Sequence, residues 1–378
     1  MFDRHWLRSY AVHWLALVLV TAMISTSHPS RAAEPTRRTV ISIAGDAFHI
    51  NSVPTCRGVE WSGHRIDGLL MNSRMVQATF DDRNTETRGL WAYSDTQVWD
   101  ADRNTREFIA AIPDWRRHGL LAVTLNLQGG SPQGYSKTQP WHNSAINADG
   151  SLDAVAMARL EMVLTALDEH GMVAILGLFY FGQDERISDE AAVRRAVQET
   201  LKWLAERRYR NVLIEVNNEC NVRYDHAILK PDRIHELIAE VKAFDAGGYR
   251  YLAGTSYGGG TIPEDSVIAV SDFVLLHGNG VSRPERIGEM VRQVRARSSY
   301  RPKPILFNED DHFDFDREEN NFTAAVKEHA SWGYFDYRMK GEGFDEGYQS
   351  VPVNWQISSE RKRGFFQLLG RLTDAAPK

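Results

Sequence analysis

Two apolar rhythms alternate along this chain. Short runs of branched aliphatic residues read as buried strands. Longer stretches with an apolar residue at every third or fourth position read as amphipathic helices. From Arg65 onward the two alternate eight times. The predicted strands are Gly68–Asn72 and beyond, 120–125, 172–176, 212–216, 251–254, 273–276, 304–307 and 333–337. The helices between them carry Phe108, Ile109, Ile112 and Trp115; then Val155, Leu160, Val163, Leu164 and Leu167; then Val193, Val197, Leu201 and Leu204. Ile234, Leu237, Ile238 and Val241 mark the fourth, 263–269 a short fifth, and Ile287, Met290 and Val294 the sixth. Phe322, Ala325 and His329 mark the seventh, and Phe365, Phe366 and Leu369 the last. Ser151 and Ser188 are the predicted N-caps of the second and third helices, and Pro113 is expected to kink or split the first. Ahead of this region, Val40–Ile43 and Ala47–Ile50 flank Gly45 as a hairpin.

Alternating β and α units imply a parallel sheet, and eight of them over this length match a closed (β/α)8 TIM barrel with a short N-terminal β cap. The expected organisation is residues 1–33 as a signal peptide, 34–64 as the cap and 65–376 as the barrel. An open doubly wound sheet is the alternative, but it would carry a Gly-rich phosphate loop after its first strand. Gly258-Gly259-Gly260 follows the fifth strand instead, so no cofactor is expected.

The first residues change the picture. Arg4, His5 and Arg8 precede an apolar run from Trp14 to Ile24, and small residues follow up to Ala32-Ala33. That is the layout of a secretory signal, too short for a comfortable membrane span. A secreted or periplasmic protein with no membrane span after its removal is the expectation. The net charge of −6 comes without long runs of one sign, which argues against a nucleic-acid or anionic-membrane surface. Cys56 and Cys220 are the only cysteines, too few for a disulfide framework or a zinc site.

In such a barrel, chemistry sits at the C-terminal ends of the strands. Those ends are polar. In strand order they lead to Arg74, Gln77, Asp81 and Asp82; Asn126 and Gln128; Phe179, Tyr180 and Gln183; Asn217-Asn218-Glu219; and Ser256 and Tyr257. His277-Gly278-Asn279, Asn308-Glu309-Asp310-Asp311-His312, and Tyr337, Arg338, Lys340 and Glu342 complete the ring. Glu219 and Glu309 end strands that lie across the mouth from one another, so their carboxylates can converge on one bond, as a glycosidase requires. Arg74 is a candidate cation for holding the strand-seven carboxylate ionised. Trp141, with Tyr135 and His142, lies in a long loop after strand two; Trp355, with Tyr348 and Gln356, lies in another after strand eight. These loops are candidate sugar subsites. Asn126, Tyr257 and Tyr337 are further candidates for substrate contact.

Ile214-Glu215-Val216-Asn217-Asn218-Glu219 resembles the strand-four motif of glycoside hydrolase clan A, and Pro304-Ile305-Leu306-Phe307-Asn308-Glu309 resembles that clan's strand-seven motif. The resemblance, to a divergent relative of the cellulase-like family 5, covers the order of the barrel and its two carboxylate strands. It implies a retaining enzyme on β-linked saccharides, with Glu219 as acid/base, Glu309 as nucleophile, and Asn218 and His277 binding the sugar. Three features depart from the family pattern. Cys220 stands where proline is usual, Gly278-Asn279 follows His277 in place of His-x-Tyr, and no Trp ends strand eight, where Tyr337 or Trp355 would substitute.

Two other classes fit the same residues. One is a secreted carbohydrate-binding barrel without catalysis. The other is a metal-dependent hydrolase using Asp310, Asp311, His312, Asp314 and Asp316, a cluster that matches no EF-hand spacing; the favoured reading assigns no metal.

Overall fold

A computed structural model describes residues 36–374. The proposed signal peptide lies outside the described residues. Five short strands come first: β1 (Ile41–Ala44), β2 (Ala47–Ile50), β3 (Val53–Pro54), β4 (Glu60–Trp61) and β5 (His64–Arg65). β1, β2 and β3 form an antiparallel sheet, and Gly45 makes the β1–β2 turn at a φ of 62° that favours glycine.

Eight strands and eight helices follow: β6 (Asn72–Arg74), α1 (Ala101–Arg117), β7 (Ala122–Asn126), α2 (Ala154–Glu169), β8 (Val173–Phe179), α3 (Glu190–Glu206), β9 (Val212–Asn217), α4 (Ile234–Ala243), β10 (Leu252–Gly254), α5 (Asp265–Val270), β11 (Val274–His277), α6 (Pro284–Arg295), β12 (Ile305–Glu309), α7 (Asn321–Lys327), β13 (Gly333–Tyr334) and α8 (Glu360–Thr373). Parallel ladders run β10-β9-β8-β7-β6-β13 and β11-β12. The Asp272 N–H to Ala253 carbonyl bond ties the start of β11 to β10, and parallel bridges Leu306–Ser331 and Asp310–Tyr334 join β12 to β13. The sheet therefore closes into the expected barrel. Among the described residues, no helix is long and apolar enough to cross a membrane.

Strand alternation sorts the core into two parts. In β8, Ala174 and Leu176 pack outward under the helices, while Val173 and Ile175 face the barrel interior. There they meet Leu70, Leu121, Leu213, Leu252, Leu275 and Leu306, which sit at the N-terminal ends of the strands. Ile41 and Phe48 of the cap complete this cluster, and the Phe48 ring lies 6.1 Å from Phe273. The cap is thus an apolar plug for the end of the barrel away from the polar strand ends. Cys56 belongs to the cap and Cys220 follows β9, so they lie at opposite ends of the barrel, and both are free thiols.

Several boundaries differ from expectation. α2 is capped by Asp153, which accepts from the Ala156 N–H; the Ser151 hydroxyl is committed to Asp149. α3 is capped by Asp189, not Ser188. Both aspartates precede their helices directly, and carboxylates also complement the helix dipole. Val155 is exposed at the first turn of α2 instead of joining the buried face. α1 runs unbroken through Pro113, because burial of Phe108, Ile112 and Trp115 outweighs one lost backbone bond. α7 stops before His329, and β13 keeps only two residues of its predicted five.

The plug carries a stability prediction. Phe48 is fully buried, so Phe48→Ala is expected to lower unfolding free energy by about 3–5 kcal/mol, read by urea denaturation. A loss below about 1 kcal/mol, typical of a surface substitution, would show that the cap does not support the barrel.

Candidate active site

Two backbone irregularities bring the acidic residues inward. The β11–β12 ladder shifts register after Leu276, so His277 pairs with Glu309, one residue beyond the regular partner. Such a bulge re-aims side chains: Asn308 and Glu309 are consecutive, yet both reach the inner cluster. At the end of β9, Glu219 adopts a left-handed φ of 51°, uncommon for a residue with a side chain and typical of sites over-determined by their surroundings. Its N–H donates to the Ser256 hydroxyl, which helps hold that conformation.

The carboxylates then meet. One oxygen from each of Glu219 and Glu309, and a ring nitrogen of His277, lie within 4.8 Å of one another. His277 Nδ1 is 3.0 Å from Glu219 Oε1 and 3.6 Å from Glu309 Oε2. Arg74 Nη1 lies 2.9 Å from Glu309 Oε2, with both side chains almost fully buried. Asn279 donates its amide to Glu309 Oε1 at 2.6 Å. Beneath them, Glu215 accepts from the Asn308 amide at 3.1 Å, and its other oxygen is 4.0 Å from His277 Nε2.

Burial raises the pKa of Glu219, but the hydrogen bond and charge of His277, with Arg74, outweigh it and leave this carboxyl below its ordinary value. Burial pushes Glu309 above its ordinary value; Arg74 and His277 oppose this, and the nearby Glu219 adds to it. Burial alone would lower His277, yet the Glu309 charge and the Glu219 hydrogen bond hold its pKa up. Carboxylates this close titrate as a pair. The first proton the pair takes up rests on the Glu309 side.

The remaining predicted residues divide. Asn218 and Asn126 are buried, and each has a side-chain oxygen without a hydrogen-bond partner. Tyr337 stands at the rim, its ring 5.1 Å from Tyr135. Tyr257 is buried beside the Cys220 thiol, which burial pushes up. Trp141 and Trp355 do not offer faces to a sugar. Trp141 is 2% exposed, edge-on to Trp91, and Trp355 is 1% exposed among Phe108, Trp115 and Tyr348. These two candidates are corrected to core residues: a large aromatic ring gains more from full burial than from a rim position.

Three contributors escaped the sequence reading. Asn279 and Tyr180 stood on the predicted rim without a role; Tyr180 is buried among Arg74, Glu309 and Glu219. Asn279 stands two residues past His277, the same-face spacing of a strand, and donates directly to Glu309 despite the departure from His-x-Tyr. Glu215 could have been found as the one charge inside the apolar run 212–216.

The acidic cluster after β12 is an anchor rather than a cradle. The buried Asp310 carboxylate accepts from His312 at 2.8 Å, Trp332 at 2.9 Å and Asn321 at 3.0 Å. Asp311 accepts from Tyr135 and from the Gly280 N–H. These bonds hold Asp310 and Asp311 in place, and one ligand atom each of Asp310, Asp311 and His312 lie within 4.8 Å of one another.

No protein-family model matches the chain, and no curated protein matches it. Solved structures do. An endo-1,4-β-mannanase from Rhizomucor miehei aligns with a TM-score of 0.54 at 11% identity, over 90% of this chain and 100% of its own. A glycoside hydrolase family 5 structure from Bacteroides vulgatus also reaches 0.54 at 11% identity, over 88% of this chain and 70% of its own. A putative glycoside hydrolase from the same organism gives 0.51 at 13% identity over 86% of this chain, which spans only 59% of that protein's length. At these identities the likeness is one of fold: the chain carries the (β/α)8 barrel seen in family 5 glycoside hydrolases, in a divergent form.

Proposed function

We propose that this protein is a retaining glycoside hydrolase acting on β-linked saccharides, with Glu219 as acid/base and Glu309 as nucleophile. The observation that carries the reading is the approach of the two carboxylates to within 4.8 Å. Retaining glycosidases hold their carboxyl groups about 5–5.5 Å apart, whereas inverting ones leave a gap of about 6.5–9.5 Å for water.

In this mechanism Glu219 protonates the glycosidic oxygen as Glu309 attacks the anomeric carbon. The C–O bond to the leaving sugar breaks and a glycosyl ester forms on Glu309. Glu219, now ionised, takes a proton from water; the resulting hydroxide attacks the same carbon and frees Glu309. Arg74 and Asn279 each contact one oxygen of Glu309, which orients the attacking atom and stabilises the carboxylate when it departs. His277 faces both carboxylates through one nitrogen, so it is placed to respond as the proton distribution changes.

A metal-dependent hydrolysis is the second reading, favoured by the ligand-like spacing of Glu219, His277 and Glu309. Arg74 counts against it. A guanidinium 2.9 Å from one ligand carboxylate repels a dication and occupies an oxygen it would bind. Turnover of an aryl β-glycoside is expected to survive EDTA. Loss on chelation with return on adding metal would favour the metal reading.

Glu309→Gln and Glu219→Gln are each expected to fold and to lower kcat on unactivated glycosides by at least about a thousandfold, roughly 4 kcal/mol of transition-state stabilisation. Near-native turnover in either variant removes the assignment.

The active form carries one proton on the pair. It is lost as pH falls through the lowered Glu219 value, when both are protonated, and as pH rises through the raised Glu309 value, when both ionise. A bell-shaped kcat/KM profile follows. In Glu219→Gln, assayed with an activated aryl leaving group, the alkaline limb is expected to vanish. The remaining acid limb then reports Glu309 alone, so it should lie above the wild-type acid limb, which follows the lowered Glu219 value, and below the wild-type alkaline limb, because a negative neighbour of Glu309 is gone. An unchanged profile would contradict the pairing.

A further inference from the structure

The segment 130–139, in the loop after β7, makes a circuit of the barrel mouth. Its first residues are held on the strand-one and strand-eight side. Gln77 donates to the Gly130 and Ser131 carbonyls, Gln349 to the Ser131 carbonyl, and the Val351 N–H to the Pro132 carbonyl. Gly134 then passes so close to Tyr337 that a Cβ there would lie 2.5 Å from the ring. Tyr135 reaches the strand-seven loop, where its hydroxyl donates to Asp311 at 3.0 Å. Two residues later the chain is tied to the opposite side: Arg223, four positions beyond Glu219, donates to the Lys137 carbonyl at 2.7 Å. Gln139 then donates to the Phe181 carbonyl after strand three.

Two residues of chain span at most about 7 Å. The backbone between Tyr135 and Lys137 therefore lies within one side chain's reach of both the loop that carries Glu309 and the loop that carries Glu219. The electrostatics agree. Tyr135 as a whole residue is 55% exposed, yet burial of its hydroxyl and the charges of Glu309, Asp311 and Glu219 all push its pKa up. Beneath it, Glu309 is 5% exposed.

We propose that segment 130–139 is a strap that closes the carboxylate pair from one side, so that the substrate is a short β-glycoside or the terminus of a saccharide chain, not the interior of a polysaccharide. This inference rests on the two-glutamate reading. An internal bond has sugar rings extending both ways from the scissile oxygen and needs a cleft open on both sides; the strap occupies one. On the side of the loops after strands five and six, Gly258–Gly260 adds no side-chain bulk; Gly259 packs against the Asn279 carbonyl, and its backbone helps lower the Glu219 pKa.

The test uses the full chain with two kinds of probe. p-Nitrophenyl β-glucoside, β-mannoside and β-galactoside report on the carboxylate pair. Soluble mixed-linkage β-glucan and galactomannan, followed by viscosity and by the size of released products, report on the strap. The wild type is expected to hydrolyse at least one aryl glycoside, and to release one small product from polymers or oligosaccharides without lowering viscosity. Arg223→Ala/Gln139→Ala, which frees the strand-three and strand-four tethers, is expected to keep aryl-glycoside turnover while viscosity-lowering cleavage rises several-fold. Rapid internal cleavage by the wild type, or an identical product pattern in the freed variant, overturns the strap while leaving the glycosidase reading intact. No turnover of any aryl glycoside by the wild type refutes the reading beneath it, and the strap inference falls with it.

Discussion

Arg74 and Glu309 form an ion pair with almost no water around it, and the rest of the site is organised to make that pair tolerable. Taking two charges out of water costs several kcal/mol per ion, which their attraction offsets only when the remaining donors and acceptors are satisfied. On the Glu309 side, Asn279 takes the second oxygen and His277 approaches the first, while Arg74 Nε is left without a hydrogen-bond partner. The pair also ties two distant parts of the chain, since Arg74 ends β6 and Glu309 ends β12. The same contact that neutralises the charge fixes the relative position of two strands.

A second layer keeps the carboxylates where they are. Asp310 follows Glu309 directly and is fixed by His312, Trp332 and Asn321, while Asn308, just before it, donates to Glu215. Glu309 is therefore held on both sides by side chains anchored elsewhere. Glu219 is held differently, by a left-handed backbone and the Ser256 hydroxyl. It is the more exposed of the two, with 14% of its side chain open against 6% for Glu309. In the proposed mechanism, the group that meets a leaving sugar and then water gains from access, and the one that forms an ester gains from rigidity.

The order of strands and helices was legible because hydrophobic period is a local property. The convergence of Glu219 and Glu309 was legible because Asn-Glu recurs at two strand ends. Helix starts were misplaced by one or two residues at Ser151 and Ser188, since neighbouring polar residues compete for the cap and only their hydrogen bonds decide. Trp141 and Trp355 were misread because sequence gives the presence of an aromatic ring, not which side of it faces water. Asn279 and Glu215 join the site through contacts between residues far apart in the chain, Asn279 with Glu309 at 30 positions and Glu215 with Asn308 at 93. No local signal encodes such distances. The strap was invisible for the same reason: its tethers are side-chain bonds to carbonyls of a loop with no period of its own.

His277 connects these levels. Its Nδ1 faces two carboxylates, and a single N–H donates well to only one of them at a time. In this arrangement it favours Glu219 at 3.0 Å over Glu309 at 3.6 Å, which depresses Glu219 and leaves the proton of the pair on Glu309. Acid catalysis needs that proton on Glu219. Both arrangements carry the same total charge, so they differ only by where the proton sits and which carboxylate His277 bonds. In the proposed mechanism, a sugar ring bound beneath the strap would displace water from both carboxylates and place an acceptor oxygen beside Glu219, which favours the protonated acid there. On that reading, the 3.0 Å and 3.6 Å approaches of one His277 nitrogen are what link the proton positions of the two glutamates.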